Sequence, residues 1–170
     1  QVRYEDLDRR LQGVGNTQTQ TPERAEAQGM PADPAAAVAV QAEPDPEREK
    51  LLYDAAFDLV RERNFPQAIA AYSAFLRRYP QSDYAGNAQY WLGELYLAET
   101  DLESAEQAFQ RVLSNYPGHR KEADTLYKLG ELERKRGNRA KAREWLQRVL
   151  SEHAASSAAQ LARRDLAMLD

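Results

Sequence analysis

Residues able to do acid–base or metal chemistry are few in this chain. His119 and His153 are its only histidines. Both are expected at helix ends, and neither stands in a spacing that builds a metal site. Glu94 and Glu131 lie 37 residues apart and are the carboxylates expected to face one groove. Carboxylates placed so serve more often as groove charges than as a general acid and base. There is no cysteine, which excludes disulfides, thiolate metal sites and a cysteine nucleophile and leaves the compartment open. No G-x-S-x-G, Walker or dinucleotide glycine pattern occurs. No catalytic residue, metal ligand or cofactor is assigned, and a non-enzymatic role is expected.

The chemistry that remains is recognition. Tyr53, Tyr90 and Tyr127 fall at equal steps of 37, and Trp91 stands beside the second of them. A tyrosine at one register in every copy of a repeat makes a ladder able to stack on, and hydrogen-bond, an extended or helical peptide. The alternative is that these rings pack between helices with only the hydroxyl exposed. Trp91 is the stronger candidate, because Leu92 and Tyr96 already supply its helix with core residues and tryptophan is enriched among binding hot spots.

The elements that must position these groups follow from the same period. Asn64, Asp101 and Asn138 are in step, as are Ala68, Ala105 and Ala142, and Tyr72, Phe109 and Leu146. Ala56, Gly93 and Gly130 form another column, and Leu76, Leu113 and Leu150 one more. A period of this size marks stacked supersecondary units, each too small to bury its own apolar face. Each copy reads as two helices: in the second, Leu92 and Tyr96 lie on one apolar face, a turn follows at Thr100–Asp101, and Ala105, Phe109, Val112 and Leu113 form the next face. Pro80 and Pro117 stop the second helices, and His153–Ala154 stands where a third Tyr-Pro would fall. The small columns predict close helix approach, with Tyr72, Phe109 and Leu146 filling the gap toward the neighbouring repeat. The expected fold is an all-α solenoid of three helix-turn-helix repeats (about 50–80, 87–117 and 124–154) plus a capping helix at about 157–169.

Upstream, Tyr4, Leu7, Leu11 and Val14 are spaced as a heptad seam, so residues 1–14 read either as the end of a coiled coil or as a frayed amphipathic turn. Residues 15–46 hold five of the eight prolines among Thr, Gln, Ala and Glu and read as a flexible linker to the domain at 47–170. Net charge is −4, so nucleic acid and anionic membrane surfaces are not expected partners. No apolar stretch reaches the ~18–20 residues of a membrane span. The chain begins at Gln1 rather than Met and is expected to be a mature or trimmed piece.

Leu92, Gly93, Tyr96, Ala105, Phe109, Val112 and Pro117 resemble, in order, the signature of the tetratricopeptide repeat, with Gln89 departing from it where an aromatic usually sits. The register of such a repeat puts first-helix residues on a concave face: Tyr53, Phe57, Val60, Asn87, Tyr90, Trp91, Glu94, Leu97, Tyr127, Lys128, Glu131 and Arg134. Some members grip a C-terminal carboxylate with Lys, Asn and Arg. Here Tyr53, Phe57, Trp91, Asp124 and Lys128 take those positions, only Lys128 suits an anion, and that clamp is rejected. Charge is uneven: six acidic residues face Arg111 alone over 81–118, whereas Arg134, Lys135, Arg136, Arg139, Lys141 and Arg143 crowd the third turn. That pattern reads as a bipolar docking surface or as solvated faces with local pairing.

A narrower resemblance rests on Phe75–Glu94, on Asp124–Gly130, and on Tyr4–Leu11 followed by a linker and three repeats. These are similar to the Tol–Pal-associated periplasmic protein, the cell division coordinator (YbgF or CpoB) family. The resemblance implies a periplasmic protein of the cell envelope that binds TolA and a peptidoglycan synthase, with the upstream coiled coil supporting a homotrimer. It also implies a role in linking outer-membrane constriction to septal peptidoglycan synthesis. Two other readings stay open: a repeat component of outer-membrane protein assembly, suggested by the Tyr79–Ala85 junction, and a cytoplasmic adaptor.

Overall fold

A computed structural model describes residues 45–169. They lie in the second of the chain's two units, Gln1–Ala39 and Val40–Asp170. The coiled-coil and linker readings for 1–14 and 15–44 fall outside the described residues.

Seven helices and no strand occupy the described residues. They are α1 (Pro46–Arg61), α2 (Phe65–Arg78), α3 (Ala85–Ala98), α4 (Leu102–Asn115), α5 (Glu122–Lys135), α6 (Arg139–Glu152) and α7 (Ser157–Ala167). Their starts are written in local chemistry. Asp45 caps α1 by accepting from Arg48 N–H at 3.1 Å, so Pro46, at the end of the segment read as linker, is the first helical residue. Proline suits that position, because the N–H it lacks would have no helical partner there. Asp101 caps α4 through Ser104 N–H at 3.0 Å, and this hydrogen bonding holds its carboxyl below the ordinary range. Ser156 caps α7 through Ala159 N–H at 3.1 Å.

The turns inside the repeats share one backbone geometry. Arg63, Thr100 and Gly137 are 37 residues apart, and all three are left-handed, with φ of 58°, 61° and 82°. Only the third copy uses the residue that adopts this conformation without steric cost. The second helices end at Tyr79, Tyr116 and His153, again one period apart.

The small columns mark close approach, as the spacing predicts. A Cβ on Gly93 would stand 2.4 Å from the Phe109 ring, and one on Gly130 would stand 2.8 Å from Leu146. Phe109 and Leu146 therefore fill the gap against the first helix of their own repeat. Phe109 also belongs to a cluster with Val112, Leu129 and Leu132, which carries the packing on to the next repeat. Ala56, Ala68, Ala105 and Ala142 are fully buried at the equivalent contacts. Two further clusters surround Tyr72 with Leu95, and Leu146 with the cap residues Ala158, Ala159 and Ala162, so one core runs from α1 to α7. No helix among the described residues is long and apolar enough to cross a membrane.

Candidate functional site

The first helices α1, α3 and α5, with the cap α7, carry the residues expected to meet a partner. The period makes their junctions comparable. Phe57, Glu94 and Glu131 occupy one register, and Asp54, Trp91, Lys128 and Asp165 another. Between α1 and α3 the facing pair is aromatic, with Phe57 and Trp91 ring centroids 5.3 Å apart. Tyr53 lies beside them, stacked at 5.1 Å on Tyr84 and edge-on to Tyr72 at 5.6 Å. Burial pushes the Tyr53 hydroxyl above its ordinary range. Tyr53, Phe57 and Trp91 are each only partly buried, leaving a lipped aromatic surface.

Between α3 and α5 the same register holds ions. Lys128 Nζ lies 3.1 Å from Glu94 Oε2 and 3.5 Å from Glu131 Oε2, with the three side chains about one-quarter exposed. Burial works to lower the lysine's pKa. The charge of Glu94, then that of Glu131, overrides it and leaves the ammonium titrating above the ordinary value. Glu94 and Glu131 do meet in one face, as expected, but a lysine joins them. That arrangement sets one positive charge between two carboxylates, and the buried Glu94 Oε1 has no hydrogen-bond partner among the described residues.

Between α5 and α7 the junction is closed. Tyr127 donates its hydroxyl to Asp165 Oδ2 at 2.9 Å, and Arg164 and Arg134 flank the same carboxylate at 3.1 and 3.6 Å. Asp165 is 1% exposed. Burial first, then the bond to Asp165, pushes the Tyr127 hydroxyl up to about 12.

The tyrosine column is thus covered rather than open. Tyr90 and Tyr127 are buried, as the packing alternative describes, whereas Tyr53 is partly exposed. Tyr90 sits against Phe109 at 5.7 Å, with Lys121 Nζ 4.7 Å over its ring. Asn87 is buried too, and its Oδ1 has no hydrogen-bond partner among the described residues. Leu97 is partly buried against the Phe109 cluster, and Arg134 is exposed. Sequence reasoning missed Tyr84, Lys121 and Asp165. The signal was present: Tyr84 and Lys121 are one period apart and cover Tyr53 and Tyr90, and Asp165 continues the Trp91–Lys128 column onto the cap.

The basic cluster at the third turn is largely engaged within the fold. Arg136 bonds Glu106, Glu133 at 2.9 Å and the Leu102 carbonyl at 3.0 Å, reaching back to the second repeat. Arg139 and Arg143 both donate to the Leu169 carbonyl, at 2.6 and 3.3 Å. Apart from Arg136–Glu133, these partners are 26 to 34 residues away, so the arginines tie distant elements together and are not the locally paired, solvated faces of the second reading.

Comparison with known proteins agrees with this architecture. Two tetratricopeptide-repeat models match, over residues 53–120 and 96–166. Two Pseudomonas putida proteins named cell division coordinator CpoB are each 63% identical to this chain over 59 residues. The match takes in 35% of this chain and 22% of theirs, so it spans about a fifth of the length of the curated relatives. The first tetratricopeptide domain of Spaghetti (RPAP3), bound to an HSP90 peptide, superposes with a TM-score of 0.60 at 14% identity, over 74% of this chain and 92% of that one. Kinesin light chain repeats of Podospora anserina give 0.61 at 14%, over 76% and 68%. At such identity these neighbours speak for the fold alone.

Proposed function

We propose that this chain, which belongs to the tetratricopeptide-repeat family over residues 53–166, is a non-catalytic protein-binding scaffold of the cell envelope that acts in cell division. The observation that carries the reading is the 63% identity to cell division coordinators across a stretch of repeat sequence. On this reading the protein works in the periplasm, binds TolA, and couples outer-membrane constriction to septal peptidoglycan synthesis through a peptidoglycan synthase. A homotrimer formed through the segment upstream of the repeats belongs to the same proposal.

The binding face is the first-helix face, and its aromatic end is the anchor. Tyr53, Phe57 and Trp91 present apolar, partly exposed rings at one junction, the composition that carries most energy in protein interfaces. Glu94, Lys128, Glu131 and Arg134 form the polar end, which sets orientation more than affinity. Asn87, Tyr90, Leu97 and Tyr127 support the surface from beneath or at its edge.

Calorimetric titration of the full chain with the periplasmic part of TolA tests both halves of the proposal. Binding that weakens about 30-fold in Trp91→Ala, the effect of a hot-spot residue worth roughly 2 kcal/mol, supports the partner and the site. Binding unchanged in Trp91→Ala keeps the partner and removes the site. Absence of binding by the folded protein removes TolA.

A further inference from the structure

The residues that end α2, α4 and α6 are Tyr79, Tyr116 and His153, one period apart. In the second copy this residue ties its repeat to the one before, because Tyr116 donates its hydroxyl to the Pro80 carbonyl at 3.1 Å. An imidazole reaches less far than a phenol. In the third copy His153 Nε2 is buried and has no hydrogen-bond partner among the described residues. A buried polar nitrogen left unpaired is costly, and such groups in native proteins commonly mark a bound water or ion.

What surrounds that imidazole has the character of a ligand set. One ring nitrogen of His153 and one carboxylate oxygen from each of Glu122 and Glu152 lie within 4.8 Å of one another. Glu122 opens α5 and Glu152 closes α6, 30 residues apart, so sequence spacing gives no hint of the group. Both carboxylates have existing partners. Glu122 Oε2 accepts from Gly118 N–H at 3.0 Å, and Glu152 accepts from Arg148 at 2.7 and 3.1 Å. Glu122 keeps its other oxygen for a further ligand. The Arg148–Glu152 pair is exposed and four residues apart on one helix, an interaction of small net value that a doubly charged ion can displace.

We infer that Glu122, Glu152 and His153 form a binding site for a borderline divalent cation, with zinc as its representative, that clips the start of α5 to the end of α6. The imidazole decides the class. Calcium and magnesium take oxygen ligands, whereas zinc, nickel and copper accept a ring nitrogen beside carboxylates. Zinc bonds of about 2.1 Å in tetrahedral geometry place ligand atoms about 3.4 Å apart. The three groups therefore need to close by little more than an ångström, within the rotamer reach of two glutamates. Three protein ligands leave the fourth position to water, and the bridge joins the two helices of the third repeat.

The test is a thermal melt of the full chain, freed of metal with a chelator, with and without zinc chloride. At zinc about a hundredfold above its dissociation constant the midpoint is expected to rise by roughly 5 °C or more. The rise should vanish in His153→Tyr, which restores the residue carried by the other two copies and so preserves the fold. It should shrink in Glu122→Gln, which keeps the side chain's shape. No rise in the wild-type protein, a rise undiminished in His153→Tyr, or an equal rise with magnesium overturns the inference.

Discussion

The junction between the first and second repeats and that between the second and third place their residues alike and differ in chemistry. Phe57 meets Trp91 in one, and Glu94 meets Lys128 in the other, each pair 34 residues apart. Two aromatic rings in contact contribute about 0.5–1.5 kcal/mol beyond the area they bury, and salt does not weaken them. A partly exposed ion pair contributes roughly 0–1 kcal/mol, and salt screens it. The repeat register therefore decides who meets whom, while the residue types decide whether the meeting point is a sticky surface or a solvated one. The first junction leaves its rings partly exposed, and the second places one lysine between two glutamates.

The comparison breaks hardest at the small residue beneath it. Gly93→Ala is expected to cost about 3 kcal/mol in a urea melt, because the new Cβ meets the Phe109 ring and not a flexible chain end. A cost below about 1 kcal/mol would mean that the second repeat has room the packing denies.

Next in size is the contrast between the junctions themselves. Trp91→Ala is expected to lower stability by about 2 kcal/mol, less than for a fully buried ring because Trp91 is only partly covered. Lys128→Ala should cost no more than about 1 kcal/mol, with the difference shrinking further in 1 M salt. Equal costs, or a salt-dependent tryptophan, would erase the distinction between the two junctions.

Alkali sharpens it at the second and third junctions. Lys128 and the Tyr127 hydroxyl both have raised pKa values in the fold. Their protonated forms are therefore held more tightly in the folded than in the unfolded protein. The stability they contribute is fully present below about pH 10 and is lost as pH rises past the unfolded values, by an amount of order 1 kcal/mol. Urea melts at pH 9 and pH 11 measure the loss, and Tyr127→Phe should reduce it.

The smallest effect concerns the turns. Thr100 is β-branched and left-handed where the third copy has Gly137. Thr100→Gly should gain about 0.5 kcal/mol, since relief of the left-handed strain of roughly 1–2 kcal/mol exceeds the added entropy of an unfolded glycine. A loss of stability would show that the threonine side chain makes a contact worth more than its strain.

Much of this molecule was legible in its amino acids. The 37-residue columns announce the repeats, Thr100–Asp101 marks a turn, Pro80 and Pro117 mark helix stops, and Gly93 and Gly130 mark close approach. Each of these is a local or strictly periodic property, readable because helix capping, proline geometry and apolar spacing act within a few residues. The first-helix residues of the candidate site were legible as a set for the same reason.

What the set does was decided only by tertiary structure. Periodicity shows that Tyr53, Tyr90 and Tyr127 share a register, but not that Tyr84 stacks on the first, Lys121 covers the second and Asp165 accepts from the third. Nor does it show that Lys128 is shared by two glutamates, or that Arg136 is turned back toward Glu106. Apart from Lys128–Glu131, these contacts join residues about 30 to 38 apart, and their geometry depends on how far each repeat rotates against the last. That rotation is set by the volumes of packed side chains across the interface, a collective quantity carried by no single stretch of sequence.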